Sequence, residues 1–380
     1  MISRIISPEI RKSQKSILLI GPRQTGKSTL ISSLKPDLSI NLSDELEYMN
    51  HSSNPSELGK FIEIQKAKSI FIDEVQRIPK ILNTVQSFVD KDKSLKFYLT
   101  GSSARKLKRG GGNLLPGRIL NYYLGPLVSS ELNYKMNTAH ALSRGCLPEI
   151  YLSSQKDSWE KLLMSYAANY LKEEIKAEAL VRNLESFARF LQEVTLSVAQ
   201  FVDYNKISKS AKISRHAVPR YFEILEDTLV GSRVFPYPEL MASEDLIKHP
   251  KFYFFDNGVY NGLLKNFVAS ADRIGKLTEQ LVFNQMLHSS WAHDKNCEFF
   301  TFRTRKGIEV DFVIKVENKI FGIEVKNSEN LNSEDFDGLS YLQKVVPSSK
   351  SFILHMGSKE KKWGSFWSLP WQMGLKELGL

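Results

Sequence analysis

The stretch "KSILLIGPRQTGKSTLISSL" constrains this chain more than any other. Apolar Ile17 to Ile20 read as a short buried strand, Gly21 to Lys27 as a tight turn, and Leu30, Ile31 and Leu34 as the periodic face of a helix. The turn fits G-x-x-x-x-G-K-[ST], with Gly21, Gly26, Lys27 and Ser28 at the fixed positions. Such a loop closes backbone N–H groups around a phosphate, and the helix that follows adds its positive end. The expected ATP contacts are therefore Gly21, Pro22, Arg23, Gln24, Thr25, Gly26, Lys27, Ser28 and Thr29. Lys27 is placed to reach the β- and γ-phosphates, and the Ser28 hydroxyl to ligate Mg2+.

A phosphate loop of this kind needs a second strand that ends in carboxylates, and "AKSIFIDEVQRIP" supplies one. Ile70, Phe71 and Ile72 lead into Asp73 and Glu74. Asp73 is expected in the magnesium shell and Glu74 as the group that polarises the attacking water. A strand that merely finishes in an acidic turn would look the same without the phosphate loop beside it. A third apolar strand, "LKFYLTGSS", ends in Thr100, whose hydroxyl would lie near the γ-phosphate and sense its loss; a simple Ser/Gly turn fits the same letters. In "LPGRILNYYLGPL", Arg118 precedes another strand. It is either an ordinary solvated or salt-bridged residue or an arginine finger reaching a neighbouring subunit's nucleotide, which requires a homo-oligomer, a ring such as a hexamer.

These strings together resemble the prokaryotic AAA-type ATPases often called archaeal-ATPase-like: "GPRQTGKST", "FIDEVQRIP", "LTGSS" and the "GR" before the fifth strand, with similarity along roughly the whole chain. The resemblance implies an α/β fold: a parallel-sheet P-loop ATPase core, a helical connector, and a C-terminal domain of unknown function with a restriction-endonuclease-like fold. "RGCLPEIYL" matches the Gly-x-x-Pro-like turn that opens the helical part, at Gly145 and Pro148, although Cys146 stands where a second glycine is more usual.

At 380 residues with 42% hydrophobic content, the chain is long enough for two or three cores. Cys146 and Cys297 form no paired spacing, so no disulfide framework or zinc site is expected. The N-terminus lacks a leader-like apolar stretch, and no run approaches the roughly eighteen apolar residues of a membrane span. The expectation is a cytoplasmic protein with no membrane association. A net charge of +10 and a pI near 9.3 make a polyanion such as DNA a plausible partner. Bases concentrate in residues 96–118 and 201–222.

Residues 155–200 carry helical periodicity without glycine or proline from "SWEKLLMSYAANYLKEEIKAEAL" to "NLESFARFLQEVTLSVAQ". After them, "VDYNKISKSAKISRHAVPRYFEILEDTLV" reads as two helices with a break near Ile213 and Ser214. With bases at Lys206, Lys209, Lys212, Arg215 and Arg220, it suits a DNA-binding helix-turn-helix, and the following "GSRVFPYPEL" and "KFYFFDNGVYNGLL" supply wing strands. A helical hairpin with a solvated basic face is the plainer reading. Pro219 conflicts with a recognition helix unless that helix starts near Ala217, which puts the proline in the first turn.

In the last third, "EVDFVIKVENKIFGIEVKNSE" reads as a hairpin turning near Glu317 to Lys319, with Asp311 and Glu324 close to opposite each other. Together with Glu279 on the helix "IGKLTEQLVFNQML" and Lys326 two residues beyond Glu324, they form an Asp…Glu-x-Lys set of the restriction-endonuclease-like kind. Asp311 and Glu324 would then share a divalent ion, with Lys326 positioning or activating water. The competing reading is a hairpin with an ordinary Glu–Lys ion pair. The expected organisation is a P-loop AAA-type ATPase domain (1–135), a helical lid or connector (136–198), a winged helix-turn-helix (199–250) and an α/β restriction-endonuclease-like domain (251–380). The expected function is a magnesium-dependent ATPase that binds DNA and couples hydrolysis to remodelling, translocation or processing, with or without a live nuclease site. The alternative is an ATP-controlled signalling or defence switch acting on a protein partner of unknown identity.

Overall fold

The computed structural model describes residues 2–54, 57–102, 117–154, 156–170, 184–240 and 246–380, and the chain divides into two compact units. The first comprises Met1–Pro126 with Asp227–Leu229. Its strands are β1 (Ser16–Ile20), β2 (Leu38–Asn41), β3 (Ser69–Asp73), β4 (Lys96–Gly101) and β5 (Ile119–Tyr123). They form one sheet in the order β2-β3-β4-β1-β5, with every neighbouring pair parallel. All five residues of β1 are buried, which explains the unbroken apolar run: a parallel sheet is covered on both faces. Alternation sorts its side chains. Leu18 and Ile20 join Ile72, Leu99 and Val85 in one core, while Ile17 and Leu19 join Phe71, Tyr98, Ile10 and Ile31 in another.

Because all five strands run the same way, their carboxyl ends share one edge. The turn after β1, Asp73 at the end of β3 and Thr100 near the end of β4 therefore meet there without any long-range design beyond strand order. Strand β4 lies between β1 and β3, so Thr100 is inserted between the phosphate loop and the acidic pair.

The second unit comprises Leu127–Glu226 and Val230–Leu380. Helices Thr138–Arg144, Pro148–Leu152, Lys156–Ser165, Leu184–Leu196, Tyr204–Ala211 and Ala217–Asp227 come first. Part of the expected 155–200 helical stretch lies outside the described residues. An eight-stranded sheet follows, built from β6 (Gly231–Pro236), β7 (Lys251–Phe254), β8 (Cys297–Arg303), β9 (Glu309–Val316), β10 (Lys319–Lys326), β11 (Lys350–His355), β12 (Lys361–Trp363) and β13 (Phe366–Pro370). Its order is β12-β13-β11-β10-β9-β8-β6-β7. Strands β8, β9 and β10 form an antiparallel meander; helix Asp337–Val345 then carries the chain across to β11, which pairs parallel to β10. Such a parallel step requires a crossover, and this helix is it.

Two sequence expectations resolve here. The second helix of the basic pair begins at Ala217, so Pro219 falls among the first N–H groups, which have no intrahelical acceptor to lose. The expected wing strands pair antiparallel as β6 and β7, but both also belong to the eight-stranded sheet, so a boundary at residue 250 would separate two hydrogen-bonded strands. Among the described residues no helix is long and apolar enough to cross a membrane.

Candidate nucleotide and acidic sites

Helix Lys27–Ser32 starts directly from the turn that follows β1. Two glycines make that turn possible. A Cβ on Gly21 would stand 2.1 Å from the Leu124 carbonyl oxygen, and Gly26 takes φ +89°. Lys27, only 4% exposed, donates from Nζ to the carbonyl oxygens of Gly21 (2.9 Å) and Pro22 (2.8 Å). Its ammonium is thus held over the loop rather than released to solvent. Thr25 Oγ1 donates to the Pro22 carbonyl at 2.9 Å, and the buried Arg4 guanidinium braces the loop from the N-terminus by donating to the carbonyls of Thr25 (2.6 Å), Gly125 (2.8 Å) and Pro126 (3.2 Å). Arg23 and Gln24 are exposed, Ser28 is half-buried and Thr29 is exposed in the first helical turn.

The acidic pair is tied to β4. Thr100, fully buried, donates its hydroxyl to Asp73 Oδ1 and accepts the Glu74 N–H at 3.2 Å. Glu74 adopts a left-handed φ of +57°, which turns the backbone out of the extended path of β3. Gln76 Nε2 donates both to Glu74 Oε2 and to Ser102 Oγ (2.8 Å), leaving Gln76 Oε1 buried without a hydrogen-bond partner. Ser28 and Asp73 together offer a hydroxyl and a carboxylate, the hard oxygen donors that Mg2+ takes, so the residues present fit that ion.

Arg118 does not share this edge. It precedes β5, whose first residue pairs beside Ser16 at the amino end of β1, and it binds Asp90 at 2.7 Å. Strand direction puts Arg118 at the far end of the sheet from the phosphate loop, because Gly21 follows the opposite end of β1. Most of the remaining bases of residues 96–118 lie outside the described residues.

In the second unit, Lys206, Lys209, Lys212, Arg215 and Arg220 are all exposed, on or between helices Tyr204–Ala211 and Ala217–Asp227. Lys212 ends the first helix in a left-handed conformation, and the Ser208 hydroxyl closes the turn on the Ile213 carbonyl at 2.7 Å. Arg233 on β6 clamps the second helix, binding Glu226 through Nε (2.8 Å) and Nη2 (2.7 Å). Helix, turn, helix and strand are therefore one braced piece.

Strands β9 and β10 pair with Ile323 opposite Phe312, which puts Glu324 opposite Asp311. The Asp311 carboxylate accepts the Val325 N–H at 2.9 Å, and Lys326 binds Glu324 and Asp335, each at 3.1 Å. Glu279, on helix Ile274–Ala292, joins them, but the cation at the centre is Lys251 of β7. Its Nζ lies 2.8 Å from Glu279, 2.7 Å from Glu309 and 3.2 Å from Asp311, and its side chain is 3% exposed. Burial alone would lower the Lys251 pKa; the field of Glu279, Tyr253, Asp311 and Glu309 overrides it and holds the ammonium well above its usual range. Burial likewise pushes Glu279 up to about 7, against the pull of Lys251. Among the described residues no group of three His, Cys, Asp or Glu is arranged to hold a metal ion. Of the pair expected to share a divalent cation, Asp311 is paired here with the Lys251 ammonium and Glu324 with Lys326.

Residues 13–133 match the model of an AAA domain. Two domains of unknown function match beyond it, DUF8612 over residues 137–270 and DUF4143 over 274–373. No curated protein matches the chain. Among solved structures, a replication initiator DnaA bound to AMPPCP and single-stranded DNA matches at 12% identity over 58% of this chain and 86% of that one, with a TM-score of 0.27. A DNA replication initiation factor matches at 13% identity with the same coverage and a TM-score of 0.26. Protein VC1899 from Vibrio cholerae matches at 9% identity over 96% of this chain and 93% of that one, with a TM-score of 0.17. Overlaps this loose carry no argument about function, so the AAA domain match and the site geometry stand alone.

Several residues of these sites had no sequence signal that singled them out. Arg4 lies far from the loop in sequence and reads only as a break in an apolar start. Gln76 and Ser102 follow Asp73 and Thr100 closely, and that proximity is the one hint that they share the same edge. Lys251 and Tyr253, which donates to Glu279 at 2.5 Å, come from a strand whose letters suggested only a wing.

Proposed function

We propose that the chain is a magnesium-dependent ATPase whose nucleotide state governs contact with DNA. The observation that carries the ATPase reading is the convergence of the phosphate loop, Asp73, Glu74 and Thr100 on one edge of a parallel sheet. In this reading the loop residues 21–29 hold ATP, Lys27 leaves the loop carbonyls for the β- and γ-phosphates, and Ser28 and Asp73 hold Mg2+. Bound there, the ion would neutralise charge between the phosphates. Glu74 takes a proton from the attacking water, and Thr100 holds Asp73 and the Glu74 backbone in register. Thermal melting tests the binding step. ATP with Mg2+ at about a hundred times its Kd should stabilise the first unit by about 2.7 kcal/mol, and Lys27→Ala should abolish that shift; an undiminished shift in the variant would remove Lys27 from the site.

The DNA reading rests on the exposed bases of the two helices Tyr204–Ala211 and Ala217–Asp227, which precede the antiparallel strands β6 and β7 in the order of a winged helix. The α/β part beyond them, a helix, three antiparallel strands, a crossover helix and a parallel strand, we read as a restriction-endonuclease-like scaffold that serves in binding and not in metal-dependent cleavage. Assembly into a homo-oligomeric ring is part of the proposal, with an arginine of one subunit reaching the nucleotide of its neighbour.

A further inference from the structure

We infer that Lys251 is a built-in cation that takes the place of a divalent metal in the acidic pocket of the second unit, and that this pocket is closed to Mg2+ and Mn2+ as long as the lysine is present. The pocket is an open one of about 570 Å³, lined among others by Phe201, Lys251, Glu279, Glu309, Asp311 and Glu324. Four acids from one helix and two adjacent strands face it, Glu279, Glu309, Asp311 and Glu324, and their carboxylates are hard oxygen donors of the chemical kind that divalent cations take. The ammonium has three N–H donors and three carboxylates to receive them, so each donor has a partner. The spacing is that of an ammonium. Oxygens 2.7 to 3.2 Å from a common centre are too far out for Mg2+, which needs about 2.1 Å, or for Ca2+, which needs about 2.3–2.6 Å.

Lys251 is also not a surface lysine free to swing aside. Its backbone is fixed in β7 opposite Val234 and bridges to Phe201, and its Nζ lies 5.3 Å from the Phe201 ring centroid. The Phe201 ring takes a second cation, the Arg303 guanidinium at 5.2 Å, and Arg303 in turn binds Glu309 at 3.4 Å. A divalent ion entering this pocket would have to share it with two cations already bound to its ligands. The strand that supplies Lys251 is therefore the element that converts a metal-type carboxylate set into a closed charge cluster.

The test counts bound Mn2+ by electron paramagnetic resonance in the full chain with a non-hydrolysable ATP analogue, in wild type, Lys251→Met and Lys251→Met combined with Asp311→Asn. The expected result is one more tightly bound Mn2+ in Lys251→Met than in wild type, lost again in the double variant. The difference between chains is read, so it stands whether or not the phosphate loop also holds an ion, and it is independent of the ATPase reading. A folded Lys251→Met chain with no added ion would overturn the inference, as would a wild-type chain whose Mn2+ count falls on Asp311→Asn. That last comparison needs no Lys251 variant and decides the matter even if Lys251→Met does not fold.

Discussion

Asp256 offers a sharp check on how the second unit is held together. The carboxylate is 2% exposed and accepts three backbone N–H groups: Gly258 (2.8 Å) and Val259 (3.1 Å) through Oδ1, and Cys146 (2.6 Å) through Oδ2. The first two cap helix Asn257–Leu264; the third anchors the turn before Pro148. That contact explains Gly145, which takes φ +76° and whose Cβ would stand 2.0 Å from Asp256 Oδ1. Asp256→Ala removes a cap of about 1 kcal/mol and strands the buried Cys146 N–H at about 1–3 kcal/mol, so a loss of about 3 kcal/mol is expected. Burial also pushes the Asp256 carboxyl up to about 6 from 3.8, outweighing the three N–H groups. A folded pKa above the unfolded one means that the native state binds the proton more tightly. This contribution is therefore complete below about pH 4 and is lost as pH rises to about 6, by roughly 3 kcal/mol in all. Native-state hydrogen exchange at Cys146, Gly258 and Val259, against pH, reads both effects. Protection unchanged in Asp256→Ala, or protection that rises through pH 4–6 in wild type but not in Asp256→Asn, would refute the reasoning.

Gln76→Ala should leave nucleotide affinity intact and lower ATP turnover by about tenfold, the loss of roughly one hydrogen bond that orients Glu74; equal losses in binding and turnover would mark a folding defect instead. Gly21→Ala forces a Cβ against the backbone carbonyl of Leu124, and should destabilise the first unit by about 1–3 kcal/mol in urea unfolding. Replacing both Arg215 and Arg220 by alanine should weaken duplex DNA binding and reduce the slope of log K against log salt by about 1.8, the loss of two phosphate contacts; an unchanged slope would move the DNA contact elsewhere.

Legibility in the sequence followed the range of the interactions involved. The phosphate loop, the strand ending in Asp73 and Glu74, and the hairpin that sets Asp311 opposite Glu324 are local patterns: period-two burial and fixed turn geometry write them into short stretches. The start of a helix at Ala217 was equally local, since one proline allowed few alternatives. What escaped reading was decided by pairing between distant segments. Arg118 was judged by its neighbours in the chain, and only the direction of β5 against β1 shows that it stands at the far end of the strand from Gly21. The acidic cluster was read incompletely for the same reason. Lys251 enters from a strand 60 residues before Asp311, and no spacing rule connects a lone lysine in "KFYFFDNG" to acids on a later helix and hairpin.

ATP hydrolysis by the purified chain tests the central claim most directly. With Mg2+ present, wild type should release phosphate from ATP, Lys27→Ala should fail because it cannot hold the nucleotide, and Glu74→Gln should bind it but turn over at least about a hundredfold more slowly, the usual contribution of a general base. Equal phosphate release by all three chains would contradict the account.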